Sequence, residues 1–292
     1  MIEKLNKICE IYEDFDMYSN NTFRLHSKAK YFVKANSIEE LKEIINIIKE
    51  YKLKWFIIGN GSNIILPSYY DGVIIKLEGF NKFNIENNKL YAEAGCMINK
   101  VASYVSNKGY TGFEWATGIP GSIGGSVVGN AGAYLKSIAD VLISATVYDG
   151  EKIYEMRNED FKYEYRNSCL KGNHNIVILS CVFKLETGNI DEIKELIIDR
   201  TNRRMASQDL KNPSNGSVFR NPETAPAGKL IDDAGLKGTR VNDAVVSNIH
   251  ANFIINEGNA TSEDIIKLIE IVKDKVKEVY NIELHLEQEI IK

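Results

Sequence analysis

The sequence predicts an α+β protein of two domains, and three observations carry that expectation. The chain has 292 residues, which suits about two domains at roughly 100–200 residues each. Its earlier part is dominated by short apolar, strand-like runs. Its later part mixes amphipathic helices with strands, without the strand–helix repeat of a doubly wound parallel sheet. The character changes near residue 190, so we expect one domain over 1–190, itself divided near 75–80, and a smaller α+β domain over 191–292.

The elements follow in chain order. Leu41, Ile44, Ile45 and Ile48 recur at helical spacing and predict a helix over 38–50. Trp55-Phe56-Ile57-Ile58, closed by Gly59, and Val73-Ile74-Ile75-Lys76-Leu77 read as buried strands. Phe83-Asn84-Ile85-Glu86 pairs with Leu90-Tyr91-Ala92-Glu93-Ala94 across the polar turn Asn87-Asn88-Lys89. Val141 to Tyr148 and Glu151 to Met156 form a hairpin about Asp149-Gly150, a dipeptide suited to a type I′ turn. Val177, Leu179, Cys181, Phe183 and Leu185 alternate as a further strand. Ile190 to Gln208 is helical, with Arg200, Arg203 and Arg204 most simply on a solvated face. Residues 211–226 hold Pro213, Pro222 and Pro226 and read as loop. A second long helix starts near Ser262, a capping residue, with Glu263 and Asp264 in its first turn. Ile265, Ile269, Val272, Val276 and Val279 form its apolar stripe. A strand from Ile282 to Ile291 follows.

Charge and cysteine usage exclude several functions. Lys and Arg number 36 against 40 Asp and Glu, a formal net charge of −4, which argues against a nucleic-acid partner. No apolar run approaches the ~18–20 residues that span a bilayer, and Met1 to Lys7 has no signal-peptide core. Cys9, Cys96, Cys169 and Cys181 show neither a C-x-x-C pair nor metal-ligand spacing. The expectation is a cytoplasmic protein with reduced, idle thiols, no metal and no membrane insertion.

Two glycine-rich loops point to phosphate binding. Gly59-Asn60-Gly61-Ser62-Asn63 follows a strand, turns tightly and offers consecutive N–H groups, with Ser62 and Asn63 as added donors. A polar turn leaving a strand is the simpler alternative. The stretch from Gly112 to Gly132 is denser, with seven of the 21 glycines. In it, Gly118-Ile119-Pro120-Gly121-Ser122-Ile123-Gly124-Gly125 reads as a helix start with Pro120 in the first turn and backbone bare enough for a pyrophosphate. A close crossing of two backbones is the alternative. Neither loop has Walker or Rossmann spacing, so the architecture is another one.

Further polar residues are scattered. Arg166, in Tyr165-Arg166-Asn167-Ser168, has the fork that grips a carboxylate. Ser217, in Asn215-Gly216-Ser217-Val218-Phe219-Arg220-Asn221-Pro222, has no histidine nearby in sequence. Its pattern fits a proton relay or hydrogen bond better than a nucleophile. Glu287 shares strand parity with Glu283 and His285 on a polar face. His250 sits at a strand entry, as a structural or a ligand-facing imidazole. A salt bridge, a turn serine and a solvated acid are the bland readings of Arg166, Ser217 and Glu287.

Taken in order, these motifs resemble those of the UDP-N-acetylenolpyruvoylglucosamine reductase (MurB) family. Ala227-Gly228-Lys229-Leu230-Ile231, Gly235-Leu236-Lys237-Gly238 and the run His250 to Asn256 complete the pattern, which covers about Asn21 to Ile291. The compact length is similar to the family's shorter type. The resemblance implies an FAD-binding domain of the vanillyl-alcohol-oxidase-like (PCMH) type, followed by a substrate domain. It implies that Gly59, Asn60, Gly61, Ser62, Asn63, Gly118, Ile119, Pro120, Gly121, Ser122, Gly124, Gly125, Asn130 and Ala131 hold FAD. It implies NADPH as reductant, a UDP-sugar enolpyruvyl ether as substrate, and a monomer. Hydride addition to C3 of the enolpyruvyl group puts negative charge on the carboxylate, which Arg166 and a protonated Glu287 would meet. Ser217 would protonate C2. Asn221, Lys237 and His250 would line the substrate, with Lys237 suited to its diphosphate.

The chain departs from the family at Gln288-Glu289, where Val-Arg is usual. His26-Ser27 stands for a glycine pair, Gly129 for a methionine and Leu135 for a glycine. Two other readings stay open: a non-catalytic paralogue that binds flavin or a UDP-sugar, and a related FAD oxidoreductase with another substrate.

Overall fold

The computed structural model describes residues 1–292 and divides into two compact units. Unit 1 comprises Met1–Glu13, Tyr31–Asn60 and Asp71–Asn202; unit 2 comprises Asp14–Lys30, Gly61–Tyr70 and Arg203–Lys292. The sequence suggests a domain break near 190 and a subdivision near 75–80, whereas by contacts the units interleave along the chain. The reason lies in packing: Phe23, Leu25 and Ile65 belong to the apolar cluster of Leu230, Ile254, Ile269 and Leu284, far away in sequence.

Unit 1 contains an antiparallel five-stranded sheet in the order Ile153–Arg157, Leu142–Tyr148, Val177–Lys184, Lys89–Glu93, Phe83–Glu86. Central strand Val177–Lys184 buries Val177, Leu179, Cys181 and Phe183, as its alternation predicts. In the hairpin Phe83–Glu86/Lys89–Glu93, Glu86 faces Lys89, and Asn87 and Asn88 take φ of 50° and 57°. Asparagine tolerates this left-handed pair better than most residues, giving a tight two-residue turn. The Asp149-Gly150 turn differs from expectation. Tyr148 pairs with Ile153, so the loop has four residues, and the Asp149 carboxylate accepts N–H bonds from Glu151 and Lys152 at 2.9 Å each. The side chain of Asp149 does what a type I′ backbone would have done.

Helix Ile38–Glu50 has the predicted bounds. Ser37 caps it by accepting from the Glu40 N–H at 3.1 Å, and Leu41, Ile44, Ile45 and Ile48 are fully buried. Trp55–Ile58 runs parallel to Val73–Lys76. Cys96 and Cys181 are buried, and burial pushes the Cys96 thiol up to about 11.

Unit 2 is built on a three-stranded antiparallel meander, Arg240–Val241, Ala244–Val246 and Ile254–Asn256. Helix Ser262–Tyr280 supplies Ile265, Leu268, Ile269, Val272 and Val276 to the same core. Its cap is Thr261 rather than Ser262: the Thr261 hydroxyl accepts from the Asp264 N–H, and the Asp264 carboxylate accepts from the Thr261 N–H. This reciprocal box needs an acid three residues after the cap, which Thr261 has. The strand expected over Ile282–Ile291 is also different. Only Glu289–Ile290 is a strand, parallel to Ile64–Ile65. Before it, the backbone of 285–287 bonds irregularly to 218–220, although Leu284 stays buried and Glu283 and His285 exposed as the alternation predicts. Helix Ile190–Ser207 buries only Ile193, consistent with its polar sequence.

Candidate active site

In unit 1 two loops and a glycine run lie side by side. Strand Trp55–Ile58 delivers Gly59 and Asn60 to the run that begins at Gly118. The Asn60 amide donates to the Pro120 carbonyl at 2.6 Å. A Cβ on Gly59 would stand 2.3 Å from the Ser122 Oγ, so a side chain there would displace that hydroxyl. Ser122 caps the short helix Ile123–Val128, its Oγ accepting from the Gly125 N–H at 3.2 Å. Pro120 therefore precedes the cap instead of occupying the first turn. Gly124 donates to the Ala94 carbonyl, where a Cβ would meet the Ala94 Cβ at 3.1 Å. Gly118, Pro120 and Gly125 are exposed.

The run is stapled to the loop that carries Arg166. The Asn130 amide donates to the Glu164 carbonyl at 2.8 Å and its oxygen accepts from the Ala139 N–H at 3.1 Å. Ser168 donates to the Val128 carbonyl at 2.6 Å. Arg166, at φ 55°, donates to the Gly132 carbonyl at 2.5 Å and lies over the Tyr165 ring at 5.1 Å. Asn130 thus acts through structure, with both polar ends of its side chain engaged inside the fold. Ala131 donates to the Ser126 carbonyl. Ser126 Oγ is buried without a partner.

Gly61, Ser62 and Asn63 fall in unit 2. A Cβ on Gly61 would meet the Asn20 carbonyl oxygen at 2.3 Å. The Asn63 amide donates to the Glu287 carbonyl at 3.3 Å, and its own carbonyl accepts from the Glu289 N–H at 3.0 Å.

The segment bearing Ser217 is the centre of unit 2. Gly216 takes φ +71°, then Ser217 bridges Phe253 and Phe219 bridges Leu286. The Glu287 N–H donates to the Val218 carbonyl at 2.8 Å, and the Arg220 N–H to the His285 carbonyl at 2.9 Å. Ser217 and Glu287 therefore lie on adjacent, bonded stretches of chain. On the other side the buried Asn252 side chain accepts from the Phe219 N–H at 3.0 Å and donates to its carbonyl at 2.8 Å.

This segment opens on a cavity of about 480 Å³ whose lining includes Ser217, Asn221, Asp232, Lys237, His250 and Asn252. Four residues singled out in the sequence are thus brought together. Asn221 accepts from the Ala227 N–H at 3.0 Å, at the start of helix Ala227–Asp233. Lys237 is paired with Asp232 at 2.7 Å. His250 Nδ1 is buried without a partner, and the ring packs on Phe253 at 4.5 Å. Burial, reinforced by the nearby Lys237 charge, holds the His250 imidazole below its ordinary value, so it is mainly neutral near pH 7.

The Lys237–Asp232 pairing and the roles of Asn252 and Gln288 were not legible in the sequence. Gln288 is 3% exposed and donates to the Gly216 and Ser217 carbonyls. Gln288 stood out in the sequence only as a departure from the family pattern.

Two family descriptions match the chain: an FAD binding domain over residues 29–152 and the UDP-N-acetylenolpyruvoylglucosamine reductase C-terminal domain over 208–291. A UDP-N-acetylenolpyruvoylglucosamine reductase of Clostridium novyi is 43% identical over 97% of this chain and 92% of its own length. That of Bacillus licheniformis is 35% identical over 98% and 95%. The crystal structure of the reductase (MurB) from Thermus caldophilus superposes with a TM-score of 0.82 at 29% identity, covering 97% of this chain and 99% of the other. A glucose dehydrogenase, Phl p 4.0202, shares the fold alone, with a TM-score of 0.53 at 10% identity over 70% of this chain and 49% of its own.

Proposed function

We propose a division of labour that proceeds from one premise: the chain belongs to the UDP-N-acetylenolpyruvoylglucosamine reductase family. It is an FAD-dependent oxidoreductase that reduces UDP-N-acetylglucosamine enolpyruvate to UDP-N-acetylmuramate with NADPH, a step in peptidoglycan precursor synthesis. No helix is long and apolar enough to cross a membrane, and we place the enzyme in the cytoplasm as a monomer.

The residues of unit 1 fit the cofactor. Bare main chain at Gly59 and Gly125, the Asn60 amide and the Ser122 cap supply small, polar, donor-rich chemistry suited to a pyrophosphate, and a side chain at Gly59 would displace the Ser122 hydroxyl that caps the helix. Bound there, FAD would supply the hydride-transfer chemistry that links NADPH to C3 of the enolpyruvyl ether. Gly59, Asn60, Gly118, Ile119, Pro120, Gly121, Ser122, Gly125 and Ala131 would hold it directly, as would Gly61 and Ser62 of unit 2, while Gly124, buried with its N–H on the Ala94 carbonyl, would pack behind them. Asn63 and Asn130 would hold the neighbouring chain in shape.

The protein's own groups then manage charge and a proton. Arg166 meets the negative charge that develops on the substrate carboxylate. Glu287, in its protonated form, donates to the same carboxylate, which requires a raised pKa in the complex. Ser217 gives its hydroxyl proton to C2. Lys237 meets the diphosphate, while Asn221 and neutral His250 orient the nucleotide sugar.

One observation carries this reading: Ser217, Asn221, Lys237 and His250, spread over 34 positions of sequence, line one cavity. Stopped-flow measurement of the two half-reactions tests it. Ser217→Ala should leave FAD reduction by NADPH intact and slow substrate-driven reoxidation by about 10²–10⁴-fold. Equal loss in both half-reactions refutes the role.

A further inference from the structure

We propose that Gln288 is a positioning residue for Ser217, an inference that rests on Ser217 being the proton donor. Gln288 is 3% exposed. Its Nε2 donates to the Gly216 carbonyl at 3.4 Å and to the Ser217 carbonyl at 3.3 Å. One amide thus grips the peptide groups on both sides of the Ser217 Cα.

The grip falls where the main chain most needs it. From Val218 onward the segment is fixed by backbone bonds to Asn252, Glu287 and His285. Ahead of Ser217 stands Gly216 at φ +71°, the residue type with the widest conformational freedom. Phe253 bridges Ser217 from one side, and Gln288 closes the other. Its Oε1 is buried and has no hydrogen-bond partner. Packing alone would be served better by an apolar side chain, so the amide is here for its N–H donor. Because Gln288 follows Glu287, whose N–H holds the Val218 carbonyl, the same few residues set the height of both the carboxyl and the hydroxyl. A misplacement of about 1 Å in such a group costs up to roughly 10²-fold in rate.

Gln288→Met keeps the volume and removes the donor. The expected result is substrate-driven FAD reoxidation about tenfold slower, substrate Kd within about twofold of the parent, and reduction by NADPH unchanged. Placed on Ser217→Ala, the same substitution should slow reoxidation no further, because the group it positions is gone. Equal slowing in both backgrounds, slowing of both half-reactions, or no slowing would overturn the proposal. Ser217→Ala alone reports on the premise: parent-rate reoxidation there refutes the role of Ser217 whatever Gln288 does. A measurement on the unaltered holoenzyme covers the case of a variant that fails to fold. The Gln288 side-chain amide protons should exchange slowly with solvent by NMR; exchange at the rate of an exposed amide would overturn the clamp.

Discussion

In unit 1 the surface assigned to FAD is mostly main chain: glycines at 59 and 125, held close by a serine cap and backed by the buried contact of Gly124 with Ala94. In unit 2 the cavity is lined by side chains, with Ser217, Asn221, Lys237 and His250 projecting from three separate stretches of chain. The first surface depends on what is missing, a Cβ. The second depends on what holds each side chain: Asp232 on Lys237, Gln288 behind Ser217, Asn252 behind Phe219. A main-chain surface fails abruptly when atoms are added, whereas a side-chain surface weakens by degrees when supports are removed.

The largest expected effect breaks the first surface. Gly59→Val adds a branched side chain where even a Cβ would be 2.3 Å from Ser122 Oγ. The Ser122 hydroxyl must leave its capping position or the loop must shift, and either change deforms the main-chain surface. The purified variant should lose most of its bound FAD, read as flavin absorbance per chain, while the unit 2 residues are untouched. Retention of full flavin content would show that the two loops are looser than their contact implies.

A support of the second surface comes next. Asn252→Ala leaves the buried Phe219 N–H and carbonyl without their side-chain partner. At about 1–3 kcal/mol for each of the two unsatisfied buried groups, a loss of roughly 2–6 kcal/mol is expected in urea denaturation, with flavin content preserved in the folded fraction. The smallest effect concerns Lys237. Its ion pair with Asp232 is partly exposed, at 32% and 49% of side-chain area, and such pairs contribute about 0.2–1 kcal/mol. Asp232→Asn should leave stability within that range and tighten substrate binding a few-fold at low salt, because a negative charge leaves the wall facing a diphosphate. The gain should shrink as salt rises; weaker binding would show that Asp232 orients Lys237 instead of restraining it.

Much of the fold was legible because it obeys local rules. Helix Ile38–Glu50 and strand Val177–Lys184 follow from apolar spacing, and Asn87-Asn88 from turn chemistry. The misjudged places share a cause, a polar group bonded differently from the local pattern. Thr261 outcompetes Ser262 as cap because Asp264 lies three residues on. Asp149 widens its turn by bonding two backbone N–H groups. Residues 285–288 alternate like a strand, yet bond to a chain segment some 70 positions earlier. The glycine run showed itself by density alone. The supports of the cavity did not, since the bonds of Asn252, Asp232 and Gln288 depend on tertiary neighbours.

The short parallel pairing of Glu289–Ile290 with Ile64–Ile65 also orders events during synthesis. Phe23, Leu25 and Ile65 emerge early, but their apolar partners run as far as Leu284. Residues 203–290 take on the order of ten seconds to translate at about 5–20 residues per second. Through that interval these early side chains have no native core to enter, and the peptide carrying Ser217 lacks the strand end that steadies it. The nascent chain is therefore most open to chaperones, proteases and self-association through residues 14–30 and 61–70, long before its reaction chemistry exists.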